Sequence, residues 1–339
     1  MIRLAGGVLV CLAVLGSLGW YFVNLPQSDT YPIRAGEGRG AEPSVPAAAR
    51  DAFAADRDLI PFDPARAMKY LDEICRIGPR MSGTEGMQKQ QELLRKHFTA
   101  LGGRVEMQRF TAQQKSQPQP VDMANLIVSW YPERQRRVIL CSHYDTRPIA
   151  DNEPDRRKWR DPFLSANDGG SGVALLMELA HHMKDLKTGV GVDFVFFDGE
   201  EYVFNPVGDL YFFGSEHFAQ DYQKSRPRYR YTAAVLLDMI GGKNAHFPIE
   251  QNSFFLAAEL VKEIWQVAAE QKCAAFENEP GPDVRDDHLA LNKAKIPAVD
   301  IIDFQYPHWH RLSDVPANCS GDSLYQVARV LTAWLQRQK

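Results

Sequence analysis

The chain has 339 residues, 45% of them hydrophobic, with 39 basic and 43 acidic side chains and a formal net charge of -4. That is enough apolar material for one large α/β domain or two smaller ones. There is no basic run or stripe beyond the short cluster at Arg156–Lys158, which argues against nucleic acid as a partner, and no nucleotide cofactor is expected.

The first regional signal is an uncharged, mostly apolar run of 20 residues from Leu4 to Val23, preceded by Arg3. Such a run is long enough to cross a bilayer as a helix. Residues 1–24 therefore read as a transmembrane signal anchor, with a cleaved signal peptide as the competing reading. Arg3 and the amino terminus favour a cytoplasmic N-terminus. The expected location is extracytoplasmic, on the periplasmic face of an inner membrane through this anchor, or secreted. Residues 25–60 are rich in Pro, Ala and Gly without a sustained period and read as a linker. A single catalytic domain is expected over 61–339. The cysteines Cys11, Cys75, Cys141, Cys273 and Cys319 form no CxxC pair, and sequence assigns no disulfide among them.

In chain order, the periodicity predicts helices over 65–77 and 87–101, then strands over 104–110, 125–130 and 137–142. A helix over 173–186 follows, then strands over 192–197 and 233–237. A helix over 254–270, a strand over 298–302 and a closing helix over 323–335 complete the pattern. Short apolar strands separated by helices imply an α/β fold: a central mixed, mostly parallel twisted sheet flanked by helices on both faces, in three layers.

Polar residues stand just beyond the apolar strands. Val138–Ser142 runs into His143 and Asp145, and Phe194–Phe197 runs into Glu200 and Glu201. Ala234–Leu237 runs into Asp238, and Ile301–Ile302 leads to His310. In open α/β sheets these strand ends form the ligand-binding edge. Zinc takes imidazole nitrogen and carboxylate oxygen, so His143, Asp168, Glu201, Asp238 and His310 are candidate ligands. Asp168 lies in Ala-Asn-Asp-Gly-Gly-Ser-Gly, where glycines permit a sharp turn toward a metal. Asp145, two residues beyond His143, is expected to fix that ring's orientation. Of the adjacent pair, Glu201 could ligate while Glu200 acts as base. Asp286 and Asp287 open a short helix, where acids commonly cap. Trp309 beside His310 could wall a small substrate pocket.

The ordered motifs GPRMSGT (78–84), SHYDTRPIADNEPD (142–155), SANDGGSGV (165–173), FFDGEE (196–201), FFGSEHFA (212–219), LLDMIGG (236–242), DDHLALN (286–292) and YPHWHRLSD (306–314) resemble the M28 zinc metallopeptidase superfamily. Within it the chain is most similar to the glutaminyl-peptide cyclotransferases of animals and their bacterial relatives, over about residues 62–337. The resemblance implies one Zn2+ held by Asp168, Glu201 and His310, with Glu200 as general acid/base. It implies a carboxylate pair of Asp238 and Asp286, a pocket wall at Trp309, and peptides or proteins bearing N-terminal Gln as substrates. The alternative within the superfamily is an aminopeptidase with two Zn2+, to which His143 and Asp238 would add ligands. A tethered binding module without turnover is the third reading. Two departures from the animal pattern bear on substrate preference. Asn167 stands where those enzymes carry Thr, and Val203-Phe204-Asn205-Pro206 stands where they carry a second pocket Trp.

Overall fold

The computed structural model describes residues 60–339. The expected anchor and all of the expected linker but Ile60 lie outside the described residues. Among the described residues no helix is long and apolar enough to cross a membrane.

Helix α1 (Pro64–Arg76) begins where the Asp63 carboxylate accepts from the amides of Ala65 and Arg66 and proline takes the first helical position. Helix α2 (Glu85–Ala100) begins at Thr84, whose hydroxyl accepts from the Met87 amide. Strands β1 (Arg104–Ala112), β2 (Val121–Trp130) and β3 (Arg136–His143) follow, then α3 (Ser171–Leu179), β4 (Gly191–Phe197), α4 (Phe213–Ser225) and β5 (Arg230–Asp238). The chain continues through β6 (Phe247–Ile249), α5 (Gln251–Glu270), β7 (Phe276–Pro280), α6 (His288–Lys293), β8 (Ala298–Ile302) and α7 (Gly321–Arg337).

Six strands form one mixed sheet in the order β1-β2-β4-β3-β5-β8. β4, β3, β5 and β8 run parallel, and β1 and β2 are joined antiparallel at one edge. Strands β6 and β7 form a separate small sheet. The parallel strands are buried along nearly their whole length, and alternate side chains feed two cores, as the two-residue period of a strand requires. Val138, Leu140, Phe194, Phe196, Val235 and Leu237 pack into the core shared with α1, α2, α3, α5 and α7. Ile139, Cys141, Val195, Phe197, Ala234 and Leu236 pack on the other face with Phe218 and Ala219 of α4 and Leu291 of α6. Each such large side chain taken from water contributes about 1.5–3 kcal/mol. Cys75, Cys141, Cys273 and Cys319 are buried free thiols.

This topology creates the site. From β3 the chain crosses through α3 to β4 on one side. From β5 it crosses toward β8 on the other. The carboxyl ends of β3 and β5, at His143 and Asp238, therefore flank a switch point where the sheet opens a crevice.

The expected helix over 173–186 is shorter: α3 ends at Leu179 and gives way to a 3-10 turn over Ala180–His182. Helix α4 has no helical signature in the sequence, because its buried side is built from Gly214, Ser215, Phe218 and Ala219 and shows little apolar stripe. The short, proline-bearing strands β6 and β7 carry no alternating signal either.

Candidate active site

The loops beyond β3, β4, β5 and β8 meet at one cavity of about 450 Å³, whose lining includes Asp168, Glu200, Glu201, Asp238, Asp286, Trp309 and His310. Asp168 is brought in by the turn before α3. Its neighbour Gly169 has φ +75°, and a β-carbon there would lie 2.7 Å from the His143 ring. Only glycine permits that approach. The turn is held from outside by Asp314, whose carboxylate accepts from the amides of Asn167 (2.8 Å) and Asp168 (3.1 Å). Asn167 ties the same turn to the loop after β5, accepting from the Gly241 amide at 2.7 Å.

Glu200 and Glu201 follow β4 through Gly199, at φ +73°. Asp145 accepts from both of their backbone amides, at 3.1 Å each. This corrects the expected role of Asp145. It lies 3.7 Å from His143 Nδ1, and that nitrogen has no hydrogen-bond partner. Asp145 stays an ion-pair neighbour of the ring without hydrogen-bonding it, and its two hydrogen bonds fix the Glu-Glu turn. Asp287 takes the N-cap position of α6, but its side chain makes no capping hydrogen bond; it accepts from the Ser215 hydroxyl of α4 instead.

Two ligand sets share Asp168. His310 Nε2 lies 2.7 Å from Glu201 Oε1 and 3.6 Å from Asp168 Oδ2. On the other side, His143 Nε2 lies 3.0 Å from Asp168 Oδ1 and 3.2 Å from Asp238 Oδ1. In each set, ligating atoms lie within 4.8 Å of one another. His310 is held at φ +53°, a costly backbone state for a non-glycine residue and one that clusters at functional sites. Asp168 Oδ2 and Glu201 Oε2 are buried without hydrogen-bond partners. Buried polar atoms are normally satisfied. Orphaned carboxylate oxygens beside an imidazole are a donor set suited to a divalent metal, and zinc fits it.

Electrostatics distinguishes the neighbouring acids. Burial, reinforced by Glu201, raises Glu200 well above the usual carboxylate range. Burial and Glu201 raise Asp168 to about 7. Burial also opposes the charge on Glu201, but His310 and Arg147 outweigh it and hold that carboxyl at about 2. Burial and Asp238 raise Asp286 well above its ordinary value.

Of the residues singled out from the sequence, Asp168, Glu200, Glu201, Asp238, Asp286, Trp309 and His310 line the cavity, and His143 meets Asp168 and Asp238 beside it. Trp309 lines the cavity with Phe304, their ring centroids 4.9 Å apart. Where a second Trp is missing, Pro206, Tyr211 and Phe212 line the wall. The residues missed were Arg147, Asp151 and Asp314. All three lie inside the motifs at 142–155 and 306–314, but only the folded chain shows what they touch.

Fold and site together define an α/β enzyme with the zinc-exopeptidase fold and a candidate metal site. The chain belongs to peptidase family M28, whose profile matches residues 125–335. It is 54% identical in sequence to the glutaminyl cyclase of Fimbriiglobus ruber, whose crystal structure it matches with a TM-score of 0.82 over 84% of this chain and 98% of that one. A leucine aminopeptidase precursor from Bacteroides thetaiotaomicron matches with a TM-score of 0.78 and 29% identity, over 83% of this chain and 99% of that one. A glutaminyl-peptide cyclotransferase-like protein of Bos taurus is 26% identical over 289 residues, 76% of this chain and 71% of that protein.

Proposed function

We infer that this chain is a glutaminyl cyclase, converting the N-terminal glutamine of peptides or proteins to pyroglutamate with release of ammonia. The observation that carries the reading is its 54% identity to a glutaminyl cyclase across 98% of that chain. Asp168, Glu201 and His310 would hold Zn2+, which when bound supplies Lewis-acid polarisation of the side-chain carbonyl oxygen. Glu200 takes a proton from the α-amine as that nitrogen attacks the γ-carbonyl carbon of the same residue. Glu200 then returns the proton to the departing nitrogen, which leaves as ammonia. Trp309, Phe304 and Tyr211 hold the side chain folded and shield it from water, so intramolecular attack is favoured. Asp238 and Asp286 also line the cavity and offer acceptors to the amine and amide hydrogens.

One observation supports a second reading. The His143–Asp168–Asp238 set is complete, and Asp168 turns one oxygen to each set, as a ligand bridging two Zn2+ would. An aminopeptidase would use both ions and hydrolyse the first peptide bond. Incubating the zinc-loaded protein with Gln-peptides and Leu-peptides separates the two. Ammonia release with the peptide backbone intact is expected. Free amino acid without ammonia would favour the aminopeptidase. We further propose that the apolar run at 4–23 tethers the domain to the outer face of a membrane; recovery of the full chain in the soluble fraction of its host would count against this.

A further inference from the structure

We propose that Arg147 is a positioning residue of the metal centre, a buried guanidinium that holds Glu201 directly and His310 through Asp151. The inference rests on the metal-site reading above and adds a residue to it. Arg147 Nε and Nη2 donate to the two oxygens of Asp151, at 2.9 and 3.0 Å. Nη1 donates to Glu201 Oε1 at 3.2 Å, and Nη2 also reaches the Tyr211 hydroxyl at 3.3 Å. Asp151 Oδ1 in turn lies 2.9 Å from His310 Nδ1. The Arg147 side chain is only 2% exposed.

Two consequences follow from this wiring. An acceptor at Nδ1 places the His310 proton there and leaves the Nε2 lone pair facing Asp168 and Glu201, the tautomer a metal needs. The donor on Glu201 Oε1 assigns the two oxygens different tasks, since Oε2 stays without a partner. Asp151, Asp168 and Glu201 also bring three negative charges to one buried place. A divalent ion and one guanidinium together balance them. A planar, five-donor fork grips Asp151 with two parallel bonds while a third reaches Glu201, a geometry that a lysine ammonium does not reproduce.

The test is zinc affinity of the full chain, measured by chelator competition, with the visible spectrum of the cobalt-substituted protein as a second readout. Removing a cation beside a metal ion would by itself strengthen metal binding. A merely electrostatic neighbour would therefore bind zinc more tightly in Arg147→Met and unchanged in Arg147→Lys. A positioning residue weakens binding in both, by about 10–100-fold, and alters the cobalt ligand-field bands. Asp151→Asn is expected to weaken binding similarly. If Arg147→Met does not fold, Arg147→Lys and Asp151→Asn decide. Wild-type affinity in Arg147→Lys, or tighter binding in Arg147→Met, overturns the role of Arg147 alone. Failure of the unaltered chain to bind zinc overturns the metal-site reading together with it.

Discussion

The two ends of the parallel sheet bury charge in opposite ways. At the amino-terminal end, Arg137 and Asp193 pair inside the fold. Arg137 Nε and Nη2 donate to Asp193 at 2.9 and 2.5 Å, and its remaining N–H groups reach the carbonyls of Trp130, Tyr131 and Val192. The Tyr231 hydroxyl donates to the same carboxylate at 2.7 Å. At the carboxyl end, Asp168, Glu200, Glu201, Asp238 and Asp286 crowd together, and Asp168 Oδ2 and Glu201 Oε2 are left without partners. The first cluster is satisfied and closed. The second has acceptors to spare. Both clusters are buried, so burial does not tell these two apart; the unfilled acceptors of Asp168 and Glu201 do.

The comparison can be broken by moving charge at either end. The largest effect is expected for Glu200→Gln, which keeps shape and removes the proton acceptor. Ammonia release from a Gln-peptide should fall about 10²–10⁴-fold with the unfolding midpoint nearly unchanged. Near-normal turnover would remove Glu200 from the chemistry. Asp193→Asn should do the reverse. Leaving the Arg137 guanidinium buried without its anion is expected to cost about 3–5 kcal/mol of stability, read by urea unfolding, while zinc affinity stays within a few-fold of wild type.

Zinc itself sharpens the contrast. Binding to the folded state alone should raise stability by about 2.7 kcal/mol at free zinc near 100 Kd. Asp168→Asn should abolish that gain while the metal-free protein becomes no less stable, because a crowded negative charge is gone. A zinc-dependent midpoint surviving in Asp168→Asn would place the ion elsewhere.

The smallest effect concerns another satisfied cluster. Glu178 accepts from Arg66 Nε and Nη2 at 2.5 and 2.7 Å, and from the Asp63 amide at 3.0 Å. Burial opposes its charge, but His182, Arg66 and that amide bring it from 4.5 down to about 2. A carboxyl depressed on folding contributes stability that is fully present above its unfolded pKa and is lost as pH falls through the folded one. Wild type should therefore lose stability between pH 4.5 and about 2 more steeply than Glu178→Gln. Parallel urea midpoints across that range would contradict this.

Much of this was legible beforehand because the cues were local. An apolar strand followed by His143, by Glu200-Glu201 or by Asp238 marks both a sheet edge and a ligand, and the glycines after Asp168 mark the turn that delivers it. Local cues failed where small residues did the packing, as in α4 with Gly214, Ser215 and Ala219. They also failed for Asp145, where the HxD spacing suggested a ring partner and the fold instead brought the amides of Glu200 and Glu201 to it.

Residue type and order alone thus determined the α/β class, the rim and the acids and imidazoles that line it, since those depend on strand period and on which groups can bind a metal. Partnership was decided only by tertiary structure. Arg147 reaches a glutamate 54 positions away, and Asp314 reaches the amide of Asp168 across 146. Contacts at such separations arise from how the crossovers pack the loops, and short-range periodicity carries no trace of them.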